Sequence, residues 1–385
     1  MIPLPHLVLA GAVLIAGTDT GRAQAPVEPV TLPSSIGPLR VETVAAGLEH
    51  PWSVAFLPDG RALVTERPGR LRIVTRSGTI SSPVAGVPPV YARGQGGLLD
   101  VALAPDFTQS RLVYLSYAEP REGAAGTSVA RARLVEEAGT ARLDGLEVIF
   151  RQEPAAAGGN HFGSRLVFGR DGTLFVTLGD RYSARDQAQN LSNHIGKIVR
   201  LMPDGTPPPD NPFRATPGAR PDIWSYGHRN VQGATLDPAT GRLWTAEHGA
   251  RGGDELNHPE AGKNYGWPVI TYGRDYSGRS IGEGTAKSGL EQPVVYWDPS
   301  IAPSGLVLYT GTLFPAWKGD LFVGALAGNQ LRRLRLDGDK VAEQEPLLAG
   351  LGERIRDVRQ GPDGALWLLT DDPENGRLLR VQPGR

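Results

Sequence analysis

Short apolar runs recur along the chain, each entered through a tight polar turn, and helical period is scarce. Pro58-Asp59-Gly60 leads into RALVTE, Asp171-Gly172 into TLFVTLGD, and Asp237 to Gly241 into RLWTAEHG. Lys318-Gly319-Asp320 leads into LFVGAL, and Pro362-Asp363-Gly364 into ALWLLTD. Pro105-Asp106-Phe107 before RLVYLSY is a looser sixth copy. A second strand and turn often follow, as in GRLRIVTRSG (69–78) and NQLRRLRLDG (329–338). Asp-Gly turns favour tight hairpins because Gly tolerates positive φ, and alternation such as Leu71-Arg72-Ile73-Val74 is that of a strand. Copies starting near 59, 106, 171, 237, 320 and 363 predict an all-β fold, a six-bladed β-propeller of four-stranded antiparallel blades. Two stacked β-domains are the alternative, and regular recurrence argues against them. Leu39 to Ala45 (LRVETVA) is expected to close the ring by joining the last blade. The wide gap between 237 and 320 predicts a long insertion, roughly Arg251 to Asp298, of the kind that carries function.

Composition narrows the chemistry. With no Cys in 385 residues, disulfides, thiolate metal sites and cysteine nucleophiles are excluded. A formal charge of −1 with no basic patch gives no ground for nucleic-acid binding. Leu7 to Gly17 (LVLAGAVLIAG) is apolar, too short to span a bilayer, and followed by the small-x-small pattern Ala23-Gln24-Ala25. Residues 1–25 are therefore expected to be an export signal, with cleavage leaving Pro26 first, one propeller domain over 26–385, and a periplasmic or secreted location. A buried apolar strand is the other reading of that run. No other window approaches the length of a membrane span.

Polar constellations sit just outside the repeats. Gly158 to Arg165 (GGNHFGSR) is a Gly-rich loop with one His, and a neutral His can take a proton near neutral pH. An ordinary loop histidine has the same appearance. Asp180 ends the following strand, where it can orient that imidazole or merely pair with Arg181. Glu247 to Glu255 (EHGARGGDE) combines acids, glycines and carbonyls, which suits calcium better than zinc. Arg354 and Arg356, two apart, present two guanidinia on one strand face, fit for a polycarboxylate or phosphate, or else a solvated Arg/Glu ladder.

Nine ordered stretches resemble the soluble pyrroloquinoline quinone (PQQ)-dependent sugar dehydrogenases, the glucose/sorbosone dehydrogenase family, most of all its bacterial aldose sugar dehydrogenase branch. They are LEHPWSVAFLPDG (48–60), GQGGLLDVALAPDF (94–107), GGNHFGSRLVFGRDG (158–172), GKIVRLMPDG (196–205), WSYGHRNVQG (224–233), AEHGARGGDELN (246–257), GKNYGWPVITYG (262–273), IAPSG (301–305) and RIRDVRQGPDG (354–364). The resemblance implies a six-bladed propeller with its cofactor over the central channel. It implies His161 as general base, Asp180 as its orienting carboxylate, and Gln95, Arg229 and Asn230 around quinone and sugar, Arg229 among the catalytic groups. The carbonyls of Gly249 and Ala250 would bind the calcium that also holds the quinone, and Arg354 and Arg356 the cofactor's carboxylates. Gln95, Asp180 and Trp297 would meet the sugar, Trp297 at its mouth. Glu255 and the Tyr265 carbonyl resemble a second, structural calcium site.

Two positions depart from the family pattern. A cofactor-contacting lysine of the glucose enzymes is replaced near Ala327, and His248 stands where the family has glutamine beside the calcium carbonyls. These differences, with trimmed loops, favour broad aldose specificity. The expected partners are an aldose and an external electron acceptor (quinone, cytochrome or dye), since the chain carries no haem motif. A calcium-dependent lactonase-type hydrolase and a non-catalytic binding propeller are the competing functions.

Overall fold

The computed structural model of the chain describes residues 28–384, so the expected export signal lies outside the described residues. Six antiparallel sheets follow one another around a ring. Blade 1 comprises Pro51–Phe56, Ala62–Glu66 and Arg70–Val74, and a single bridge from Val74 to Ile80 begins a fourth strand. Blade 2 comprises Leu98–Leu103, Leu112–Arg121, Ala124–Glu137 and Thr140–Arg151. Blade 3 comprises Leu166–Phe168, Leu174–Thr177, Lys197–Leu201 and Ile223–Tyr226. Blade 4 is Val231–Leu236, Leu243–Glu247, Asp254–Asn257 and Val295–Trp297, and blade 5 is Pro303–Leu308, Leu321–Ala325, Gln330–Asp337 and Lys340–Leu347. Blade 6 takes Ile355–Gln360, Leu366–Thr370 and Gly376–Pro383 from the end of the chain and Leu39–Leu48 from its start. Val41 lies opposite Val381 in that pairing, which closes the ring as expected. Val30–Leu32 adds a fifth strand outside it.

All six predicted turns join the first and second strands of a blade. Gly60, Gly172 and Gly364 adopt nearly the same positive φ, 83°, 80° and 77°, which a side chain would strain. The long insertion is narrower than expected. Asp254–Asn257 and Val295–Trp297 are blade strands, so the irregular segment runs over 258–294. The two glycines before Asp254 hide a strand that forms through its pairing with Thr245–Glu247.

A separate apolar cluster fills each of the six interfaces between neighbouring blades. Leu63, Leu71, Val113 and Leu115 pack between blades 1 and 2, and Val41, Phe322, Leu331 and Leu379 between blades 5 and 6. Such a ring leaves its axis to polar groups, because inner-strand side chains alternate between the interfaces and the channel. The register of the inner strands breaks at their start in five blades: between Pro51 and Ser53, Leu98 and Val101, Val231 and Gly233, Pro303 and Leu306, and Ile355 and Asp357. Bulges of this kind re-aim side chains at the rims of closed sheets. The residues they carry include Trp52, Gln232 and Arg356, and all three line one cavity at the channel mouth.

Candidate active site

Two adjoining cavities occupy that mouth. The first, about 210 Å³, has Trp52 and Gln232 among its lining, with Gln95, His248 and Ala302 around it. Arg67, Arg354 and Arg356 also line it, with Asp371 as the one carboxylate. Arg354 binds Asp371 Oδ2 through Nε and Nη2, at 3.1 and 3.0 Å, and the carbonyl of Leu326 through Nη1. Arg356 binds Asp371 Oδ1 at 3.2 Å and Gln232 Oε1 at 2.9 Å. Burial alone would raise the Asp371 carboxyl, but Arg356 and Arg354 outweigh it and hold it below the usual range. A surplus of guanidinium charge remains, suited to an anion with several carboxylates.

The second cavity, about 390 Å³, is lined by His161, Asp180, Arg229 and Trp267, with Tyr182 and Tyr276 exposed along it. His161 sits at φ 56° on the glycine loop, and Tyr182 at 62° after Asp180. Non-glycine residues in this region are uncommon and cluster at functional sites. Gly179 lets the two segments meet, since a Cβ there would fall 2.1 Å from the His161 carbonyl oxygen. His161 Nδ1 is 2.6 Å from Asp180 Oδ1. Asp180 Oδ1 also accepts the Tyr182 backbone N–H at 2.7 Å, and Oδ2 accepts Trp267 Nε1–H at 2.8 Å. Burial raises the Asp180 carboxyl, and the His161 hydrogen bond, the Arg229 charge and the Tyr182 N–H more than offset it, leaving it ionised. An ionised carboxylate only accepts, so Nδ1 carries the proton and Nε2 presents a lone pair. Burial lowers the His161 pKa, the Asp180 hydrogen bond offsets part of that, and Arg229 lowers it further. The imidazole is thus neutral and basic at Nε2, the state a general base requires.

Gln95 ties the cavities together. It lines the first, and its Oε1 accepts the His161 backbone N–H at 2.8 Å. Arg229 stands over the Trp267 ring at 5.2 Å and donates to the carbonyls of His248 and Gly249. Its backbone N–H is anchored on Glu247 Oε2 at 2.7 Å. Arg229 Nε and Asn230 Nδ2 are buried donors without a partner, and Asn230 Oδ1 accepts from Gly163 N–H. Ala250 lines the second cavity. His248 Nε2 lies 2.7 Å from the Pro303 carbonyl, and burial pushes its pKa down to about 4.

The remaining predicted residues fall elsewhere. Trp297 lines neither cavity; it packs with Trp244, Leu256 and Ile301 between blades 4 and 5, its Nε1–H on Gln344 Oε1 at 2.8 Å. Glu255 is half-buried beside Glu247, and desolvation, with the Glu247 charge, pushes its carboxyl up to about 8. Tyr265 stacks on His228 at 4.9 Å. Arg181 does not pair with Asp180 by hydrogen bond. Its guanidinium lies 3.6 Å from the Phe162 ring centroid and binds the carbonyls of Asn160 and Gly158, pinning the His161 loop.

Sequence reasoning missed Trp52, Arg67, Trp267, Asp371 and Lys197. Buried Lys197 donates to the carbonyls of Gln187, Ala188 and Ile195, securing the turn Arg185–Gln189 beside the second cavity. Burial pushes its pKa down to about 7. The only sequence signal for Trp267 was its place in the GKNYGWPVITYG stretch.

Comparison with known proteins identifies the family of the chain. Residues 48–380 match the family described as Glucose / Sorbosone dehydrogenase. The chain is 49% identical over 349 residues to the aldose sugar dehydrogenase YliI of Escherichia coli (strain K12), covering 90% of this chain and 93% of that protein. It is 27% identical over 418 residues to quinoprotein glucose dehydrogenase B of Acinetobacter calcoaceticus, covering 87% and 86%. The apo-form crystal structure of the soluble aldose sugar dehydrogenase from Escherichia coli superposes with a TM-score of 0.86 at 47% identity, covering 90% and 100%. The PQQ-bound aldose sugar dehydrogenase from Streptomyces coelicolor gives 0.72 at 31% identity, covering 89% and 98%.

Proposed function

Because the chain belongs to the glucose/sorbosone dehydrogenase family, we propose that it oxidises aldose sugars at C1 to the lactone with PQQ and calcium, passing electrons to an external acceptor. The observation that carries this reading is the shared wall: a neutral imidazole held by Asp180 on one side, a guanidinium-rich cavity on the other, joined by Gln95. Arg354 and Arg356 would hold the quinone's carboxylates, and the unpartnered donors of Arg229 and Asn230 suit its oxygens. The quinone, when bound, supplies the two-electron acceptor that no side chain provides.

His161 Nε2 takes the proton of the C1 hydroxyl, and Asp180 stabilises the imidazolium that results. Trp267 fixes Asp180 and so fixes the ring. A calcium held by the Gly249 and Ala250 carbonyls would take the Gly249 carbonyl from Arg229, which binds it here. The half-buried Glu255 beside Glu247 supports a second cation there, with the Tyr265 carbonyl. Residues 1–25 support export to the periplasm or beyond.

The deciding experiment is dye reduction by apo-protein and sugar, with and without PQQ. Turnover only with PQQ supports the reading, and quinone-independent lactone hydrolysis would replace it with the lactonase. A lactonase has no use for the Arg354/Arg356 pair. For the metal, chelated protein is given PQQ and one cation at a time; calcium should restore activity, and full recovery with zinc alone would reject calcium.

A further inference from the structure

Arg67 follows the second strand of blade 1, in the turn before Pro68-Gly69, and its side chain lines the cavity that also holds Arg354 and Arg356. Its Nε donates to the Gly96 carbonyl at 3.2 Å and its Nη2 to the Gly94 carbonyl. Among the described residues its Nη1 has no hydrogen-bond acceptor, and it is not among the buried unpartnered atoms. The guanidinium is therefore split: one edge grips the segment that carries Gln95, and the remaining amine faces the cavity. Around that cavity three guanidinia share a single carboxylate, Asp371. Burial disfavours the charge on Arg67, and Arg356 disfavours it further, while Asp371 offsets only part. A cation kept in such a place is stabilised only when an anion arrives.

We infer that Arg67 is a third cofactor-anchoring cation, binding a carboxylate of the quinone through Nη1 while Nε and Nη2 hold Gln95 against the His161 backbone. The inference rests on the quinone reading above. It makes the cavity a three-point anion site drawn from blades 1 and 6, where the sequence suggested a two-arginine clamp on one strand.

The test is calorimetric titration of PQQ into apo-protein in the presence of calcium, wild type against Arg67→Met, with the thermal midpoint of each apo form as control for folding. Affinity should fall by about 10- to 100-fold, the value of one charged hydrogen bond. The slope of log affinity against log salt should also become shallower, because one cation has been removed. Unchanged affinity in a folded Arg67→Met protein overturns the inference while leaving the quinone reading intact. Wild-type protein that binds no PQQ overturns the quinone reading itself. Should Arg67→Met fail to fold, Arg67→Lys is measured instead. It keeps the charge but cannot serve two carbonyls and an anion at once, so affinity should drop about threefold or more; wild-type affinity there rejects the anchor.

Discussion

Within the channel, Arg165 and Arg359 face Asp100 and Asp357; at its mouth, Arg67, Arg354 and Arg356 face Asp371 alone. The inner set is balanced, two guanidinia against two carboxylates, although Arg165 Nη2 and Asp357 Oδ1 are buried without a hydrogen bond. Arg165 lies 3.3 Å from Asp100 and 3.0 Å from Asp357, and Arg359 lies 2.9 and 3.1 Å from the same two acids. Ser53, the backbone N–H groups of Leu166 and Val54, and the Gln232 carbonyl complete the network. The outer set is open, with three guanidinia against the one carboxylate of Asp371. The two sets nearly touch, since Arg165 lies 4.0 Å from the ring centroid of Trp52, which lines the outer cavity. Identical residue types thus serve the fold where their charges cancel and await a ligand where they do not.

The sharpest break between the two regions comes at His161. His161→Gln should slow single-turnover reduction of bound quinone by about two to four orders of magnitude. Thermal midpoint and quinone affinity should stay near wild type, because the loop glycines and the arginine cluster remain. A variant that reduces its quinone at the wild-type rate would make His161 an ordinary loop histidine. Arg165→Met should do the reverse. It leaves Asp100 and Asp357 with half their countercharge, and breaking a buried pair costs about 3–5 kcal/mol. Urea unfolding of the apo-protein measures it, and a loss under about 1 kcal/mol would mean that the inner set is not the structural one.

Arg354→Ala sits between these. Half-exposed Arg354 shares Asp371 with Arg356, so the apo-fold should keep its midpoint. Quinone affinity should weaken by about 10- to 100-fold, from a charged hydrogen bond worth about 1.5–3 kcal/mol. Unchanged affinity in both Arg354→Ala and Arg356→Ala would turn the outer set into a solvated ladder.

What was legible in the sequence follows the same division. The six hairpin turns could be read because Asp-Gly geometry is local. The Arg354/Arg356 pair could be read as two guanidinia two residues apart, although the strand begins at Ile355 and its register breaks at Arg356. Arg67 could not: in Glu66-Arg67-Pro68-Gly69-Arg70 it looks like any surface turn, and only ring closure brings blade 1 beside blade 6. Asp371 and Trp267 were hidden for the same reason, the latter lying 87 residues from the Asp180 it fixes. The bulges that aim Trp52 and Gln232 into the mouth leave no mark in the hydrophobic pattern. Trp297 was expected at the mouth and lies in an inter-blade core, where its ring fills space between Trp244 and Ile301. An aromatic residue has the same appearance in either place until the neighbouring blade is present.

The smallest effect belongs to Asp180→Asn, and the hydrogen bonds decide why. Both carboxylate oxygens accept: Oδ1 from His161 and the Tyr182 N–H, Oδ2 from Trp267. An asparagine must turn its NH₂ toward one side or the other. Turned toward Trp267, the NH₂ loses one hydrogen bond and leaves the tautomer alone. Turned toward His161, it loses the Tyr182 bond and keeps the His161 bond only with the imidazole proton moved to Nε2, so the smaller effect is that of the orientation with its oxygen toward His161. The Nδ1–H tautomer survives and Nε2 stays basic, but the negative charge that stabilises the imidazolium is gone. The plateau rate should therefore fall by about tenfold, one hydrogen bond's worth, well short of His161→Gln. The pH profile gives the sign. In wild type the rate should fall as pH drops through the His161 pKa, which burial holds below 6.5. Asp180 opposes that burial effect, so removing its charge lowers the pKa further and moves the acid limb to lower pH. Single-turnover rates across pH measure plateau and limb together. A limb that shifts upward, or a plateau loss as large as that of His161→Gln, would mean that the carboxylate does more than orient the ring and steady its charge.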